Sequence, residues 1–125
     1  MGSYLNPGNA LFKMAVNSQI FVDKSMLIDV TNRYLNTMQR FICVSRPRRF
    51  GKSVAADMLA AYYDRRIDSS ALFEQLEISG QKSYGIHLNQ YDVIKLNMQE
   101  FLSGTKNVDE MLERIQKFLI FDLLD

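Results

Sequence analysis

Gly51, Lys52 and Ser53 are the residues of this chain whose types and order suit them to one chemistry, the holding of a polyphosphate. They close the segment Arg46-Pro47-Arg48-Arg49-Phe50-Gly51-Lys52-Ser53, which fills the frame of a phosphate loop, G-x-x-x-x-G-K-S/T. Gly51 has no Cβ, so the backbone can approach phosphate oxygens and turn its N–H groups toward them. Lys52 supplies a compact positive charge for the β and γ phosphates, and the Ser53 hydroxyl is the expected magnesium ligand. A helix starting there would direct its positive end, roughly half an elementary charge, at the same anion. Arg46, Arg48, Arg49, Phe50, Gly51, Lys52, Ser53 and Val54 together form the expected nucleotide-binding set, with ATP and Mg as cofactors.

The segment departs from the standard frame at its first position, where Arg46 replaces glycine. Pro47 comes next, with no N–H to donate, and it biases Arg46 toward an extended conformation. Arg46, Arg48, Arg49 and Lys52 place four cations within seven residues. They can neutralise phosphate or stabilise charge during phosphoryl transfer, or simply pair with nearby carboxylates and solvent. A G-K-S triplet recurs by chance, so the weight of the motif comes from its setting.

That setting is a strand, a loop and a helix. Phe41-Ile42-Cys43-Val44 is an unbroken apolar run suited to a strand buried on both faces, with Cys43 as inert packing. After the loop, Val54, Met58, Leu59 and Tyr62 recur at helical spacing over 53–63. Upstream, Asn6-Pro7-Gly8-Asn9 signals a turn, and Ala10 to Val16 predicts a short helix. Ile20 to Val22 is a brief β-prone run. Ser25 can cap a second helix that carries Met26, Leu27, Val30 and Tyr34 and ends near Asn36. Leu72, Phe73, Leu76 and Ile78 suggest a short helix running into an extended piece. Val93 to Met98 alternates as a second strand, with Asn97 near its carboxyl end. From Val108 the apolar spacing predicts an amphipathic helix of three or more turns.

Two features are decoys. Phe118-Leu119-Ile120-Phe121-Asp122 has the outline of an acidic Walker B strand, yet it continues the helical period without a break. His87 falls in a polar stretch and reads as a surface residue sooner than as a catalytic base.

Composition bounds the rest. The chain has 125 residues, 47% apolar and 23% charged, which fits one soluble globular domain or part of one. One cysteine and one histidine exclude a Cys/His zinc site of ordinary spacing. No apolar run reaches the roughly 20 residues that span a bilayer, so a cytoplasmic location and no membrane partner are expected. Formal charge is +1, which does not point to nucleic acid; any such contact would be local to the arginines.

The string Ser45 to Ser53, preceded by Phe21-Val22-Asp23-Lys24-Ser25 and followed by Leu72-Phe73-Glu74 and His87-Leu88-Asn89-Gln90-Tyr91, resembles the bacterial AAA-ATPase-like family. The similarity covers nearly the whole chain in the same order, and arginine at the first-glycine position is habitual there. The resemblance implies an ATPase-like domain, often followed by a restriction-endonuclease-like nuclease domain that nothing here matches. It also implies that the Walker B strand lies beyond residue 125, so no catalytic residue is assigned. Asp23 and Lys24 recur in the family and read as an ion pair or cap at least as readily as a substrate contact.

These features predict an α/β fold: a P-loop NTPase-like three-layer core with a mainly parallel sheet, incomplete at the C-terminus. Residues 1–38 form a helical lead-in, and 39–125 carry the strand, the phosphate loop, the helix and the remaining elements. Two functions stay open, an ATP/Mg-binding segment of an AAA-like ATPase and a module that holds nucleotide or nucleic-acid phosphate without turnover. An open sheet edge would also favour a homo-oligomer.

Overall fold

The computed structural model describes residues 4–44, 52–98 and 107–124. Its elements are α1 (Ala10–Val16), α2 (Met26–Tyr34), α3 (Lys52–Tyr63), α4 (Ser70–Phe73), a 3-10 helix (Glu77–Gly80), α5 (Tyr84–His87) and α6 (Val108–Leu124). The helices anticipated at 10–16, 26–36, 53–63 and from 108 onward are present.

The predicted parallel sheet is not. Among the described residues there is no strand, only isolated bridges joining Leu5 to Ile94 and Asp64 to Tyr91. Phe41 to Val44 runs without regular structure, and Phe41 is 82% exposed. Burial on both faces requires neighbours on both sides, and no described segment lies beside this one as a strand. The alternating stretch from Val93 to Met98 is engaged instead by the chain start. Asn6 N–H donates to Val93 O at 2.6 Å, and Lys95 N–H donates to Tyr4 O at 2.9 Å. Ile94 and Met98 remain exposed, so the alternation does not bury a face. Cys43 is likewise exposed, contrary to its expected packing role.

The core lies where α1, α2, α3, α4 and the 3-10 helix meet. Phe12, Ile28, Met58, Ala61, Tyr62, Phe73 and Ile78 form one buried cluster. Phe12 stacks on Phe73 with centroids 5.1 Å apart, and Tyr62 meets Phe73 edge-on at 5.6 Å. Aromatic pairs of this kind add about 0.5–1.5 kcal/mol beyond their buried area. A second, smaller cluster joins Met111 and Ile115 of α6 to Tyr4, Leu96 and Leu119.

The Walker B look-alike is helical, as its period implies, because residues 118–122 lie within α6. Asp122 there accepts the backbone N–H groups of Tyr4 at 2.6 Å and Leu5 at 3.2 Å. Its carboxylate ties the chain start to α6. No helix among the described residues is long and apolar enough to cross a membrane.

Candidate functional site

α3 is the element that carries the described part of the phosphate motif. Its sequence, Lys52-Ser-Val-Ala-Ala-Asp-Met-Leu-Ala-Ala-Tyr-Tyr63, is rich in alanine, leucine and methionine, strong helix formers that lose little side-chain freedom. Met58, Ala60, Ala61 and Tyr62 are buried, whereas Ser53, Val54 and Ala56 are exposed. The helix is therefore rooted by its C-terminal half and presents its first turn to solvent. The first four N–H groups of any helix lack partners within it, and they concentrate the positive end of the helix dipole.

Of the residues predicted to hold nucleotide, Lys52, Ser53 and Val54 fall together on this first turn. Arg46, Arg48, Arg49, Phe50 and Gly51 lie outside the described residues.

Beside the first turn opens a cavity of about 400 Å³. Val54, Ala55 and Met58 of α3 line it together with Phe12, Phe21 and Val22. Ser18 and Lys24 are the polar side chains among its lining residues. Its volume falls within the roughly 300–1,000 Å³ usual for small-molecule sites. The lining is thus an apolar surface that carries one hydroxyl, Ser18, and one cation, Lys24.

Hydrogen bonds hold this arrangement from behind. Asp64, fully buried at the end of α3, accepts Gly8 N–H at 2.8 Å and Arg66 N–H at 2.9 Å. Asn89 closes the same helix end by donating to main-chain oxygens of Ala61, Tyr62 and Asp64. Asp57, on the middle of α3, pairs with Lys95 across to the 93–98 segment. Asn32 of α2 donates to Tyr62 Oη at 3.1 Å and accepts from Tyr63 Oη at 2.6 Å. Burial pushes both phenols up to about 12.

Within the Phe21 to Ser25 string, Asp23 and Ser25 hold neighbouring main-chain groups, while Phe21, Val22 and Lys24 line the cavity. Asp23 accepts Glu77 N–H at 2.9 Å and Ser25 N–H at 2.8 Å, while Ser25 Oγ accepts Ile78 N–H at 3.1 Å. Asp23 and Ser25 thus cap the 3-10 helix, and Ser25 makes no side-chain cap bond to α2, contrary to expectation. Burial pushes the Asp23 carboxyl up, but the hydrogen bonds from Ser25 and Glu77 outweigh it and leave the carboxyl below its ordinary value. His87 is not in a loop: it ends α5, with Nδ1 2.7 Å from Tyr91 Oη and the two rings stacked. Asn97, expected near a strand end, is exposed in a stretch without regular structure.

Sequence reasoning missed Asn89, Asp64 and Asn32. Asn89 left one signal, since asparagine is enriched at positive φ and this residue has φ 55.

Comparison with family models gives a match to the AAA-ATPase-like family, described as "Predicted AAA-ATPase", over residues 10–121. Comparisons with curated proteins and with solved structures give no match.

Proposed function

The chain belongs to the predicted AAA-ATPase-like family, and from that premise we propose that it binds ATP with magnesium at the start of α3. The observation that carries this reading is the division of α3: a buried C-terminal half and an exposed first turn in which the motif serine stands open to solvent. A helix that receives a polyphosphate needs its unpaired N–H groups open to the ligand.

In this reading Gly51 lets the backbone approach the phosphates, and Lys52 neutralises the β and γ groups. The Ser53 hydroxyl coordinates magnesium, and Val54 borders the base side of the site. Arg46, Arg48 and Arg49 supply further positive charge, and Phe50 completes the motif before the glycine. Bound ATP would supply the phosphoanhydride to be cleaved; the residues assigned here bind and orient it, and none is assigned to activate water.

Calorimetric titration with ATP, with and without magnesium, tests the proposal. Magnesium-dependent binding that weakens at least tenfold in Lys52→Ala supports it. Salt-sensitive binding of DNA with no effect of ATP would favour the module that holds nucleic-acid phosphate instead.

A further inference from the structure

We propose that the uncovered stripe of α6 is a self-association surface, on which a second copy of this chain packs its own α6 in antiparallel orientation. The inference stands apart from the nucleotide reading and rests on α6 alone.

The pattern of the helix comes first. Met111 and Ile115 are buried against Tyr4 and Leu96, so one stripe of α6 already faces the chain's own smaller core. Successive residues turn about 100° around a helix, which puts Leu112, Gln116, Ile120 and Leu123 in an adjoining stripe about 80° wide. Leu112 is 47% exposed, Ile120 57% and Leu123 59%. Apolar residues that recur every three or four positions on an uncovered helix face form a seam along which a second helix packs. Among the described residues there is no strand, so the self-association expected from a sheet edge moves to this helix face.

Charge selects the partner and its direction. Glu113 and Lys117 border the stripe, both are exposed, and among the described residues neither is ion-paired. A parallel copy would set Glu113 against Glu113 and Lys117 against Lys117. An antiparallel copy centred on Gln116 instead sets Leu112 against the second copy's Ile120. It also brings Glu113 within about 3 Å of helix rise of the second copy's Lys117, an offset that these long side chains span. Both crossed pairs then join opposite charges, as flanking positions of paired helices favour.

Gln116 marks the centre of the seam and is itself exposed. A primary amide holds two N–H donors and an acceptor oxygen, so it can donate to and accept from its own copy across a twofold axis. A lone polar residue in an apolar seam fixes register in this way. A lipid surface would instead favour a basic border, and this stripe carries Asp109 and Glu113 beside Lys117.

Sedimentation equilibrium of the 125-residue chain from about 5 to 500 μM tests the proposal, a range suited to a small interface. A monomer–dimer equilibrium is expected. Leu112→Ser combined with Ile120→Ser should weaken it at least tenfold through lost apolar contact. Glu113→Lys and Lys117→Glu should each weaken it at least threefold, because each sets like charges across the seam. Mixed together, those two variants should pair at least as tightly as the unaltered chain, since one then carries two positive charges and the other two negative ones. Far-UV circular dichroism separates lost contact from lost helix, and the charge variants leave the apolar stripe untouched should the serine pair prove unfolded. A monomer throughout the range overturns the proposal, and a monomer that co-sediments with anionic phospholipid vesicles assigns the stripe to a lipid surface. Dimerisation that survives the serine pair in folded protein overturns the stripe. Charge variants without effect, or without recovery on mixing, overturn the antiparallel arrangement.

Discussion

Asn89 donates its side-chain amide to the main-chain oxygen of Asp64 at 2.7 Å, closing the end of α3 from a residue 25 positions further along the chain. The same amide reaches Ala61 O at 3.1 Å and Tyr62 O at 3.3 Å, and its Oδ1 accepts Ser69 N–H at 3.0 Å. These carbonyls are the ones a helix end leaves without partners. Asn89→Ala removes every one of these bonds and puts a Cβ-bearing residue less suited to it at φ 55. We expect a loss of about 2–4 kcal/mol from these two effects. Asn89→Gly should recover part of it by relieving the backbone alone. Urea denaturation of the two variants measures the split; equal losses would show that backbone strain plays no part.

Asp23 predicts an acid-sensitive joint between the 18–24 segment and the 3-10 helix. Its carboxyl is held below the ordinary 3.8, so its contribution to stability is complete above that pH and disappears as pH falls through the lower folded-state value. Asp23→Ala should cost about 1–2 kcal/mol at neutral pH, the lower part of the charge-assisted range because the site is partly solvated. It should also flatten the acid limb of the stability curve. Thermal melts from neutral to acidic pH in both proteins measure this, and parallel curves would remove Asp23 from the account.

The helices were legible in the sequence wherever apolar spacing and a clear start coincided. Met58 and Tyr62 on α3, or Met111 and Ile115 on α6, are buried as a helical period requires. The sheet misreading arose at Phe41 to Val44 and Val93 to Met98. A strand is defined by its neighbours, and a short apolar run states nothing about which segment will lie alongside it. Ser25 failed as a helix cap for a related reason. Its hydroxyl serves Ile78, 53 residues away, a contact that local rules cannot contain. For the candidate site, the motif anticipated a helix start at Lys52, Ser53 and Val54, and α3 begins there. That Phe12 and Phe21 share a cavity with α3 came only from the packing of α1 and the 18–24 segment.

Tyr62 and Tyr63 predict an alkaline limit. Tyr62 Oη donates to Tyr84 O at 2.6 Å, and Tyr63 Oη donates to Asn32 Oδ1 at 2.6 Å. Burial raises both phenols from 10.0 to about 12. A raised folded-state value means that their contribution is present below pH 10 and is lost as pH rises through about 12. Phenolate absorbance and far-UV circular dichroism should therefore change together near the upper value. Tyr63→Phe leaves the Asn32 oxygen without this donor and should cost about 1–2 kcal/mol. Early ionisation of both phenols with helicity intact would contradict the buried network.

Ser53 separates the metal from the phosphates. It lies on the exposed first turn of α3, away from the buried Met58 and Tyr62, so its substitution leaves the core untouched. If its hydroxyl coordinates magnesium, Ser53→Ala removes one ligand from an ion that demands near-ideal octahedral oxygen geometry. Lys52 and the helix end still attract the phosphates by charge alone. Ser53→Ala should thus weaken ATP binding at least fivefold in magnesium and by less than twofold in chelator. Lys52→Ala, which removes charge, should weaken binding in both conditions. Titrations of the two variants with and without magnesium give four affinities, and only a metal role for Ser53 makes its loss depend on the cation. Equal effects of Ser53→Ala in both conditions would assign the hydroxyl to the phosphates directly, and the magnesium would need another protein ligand.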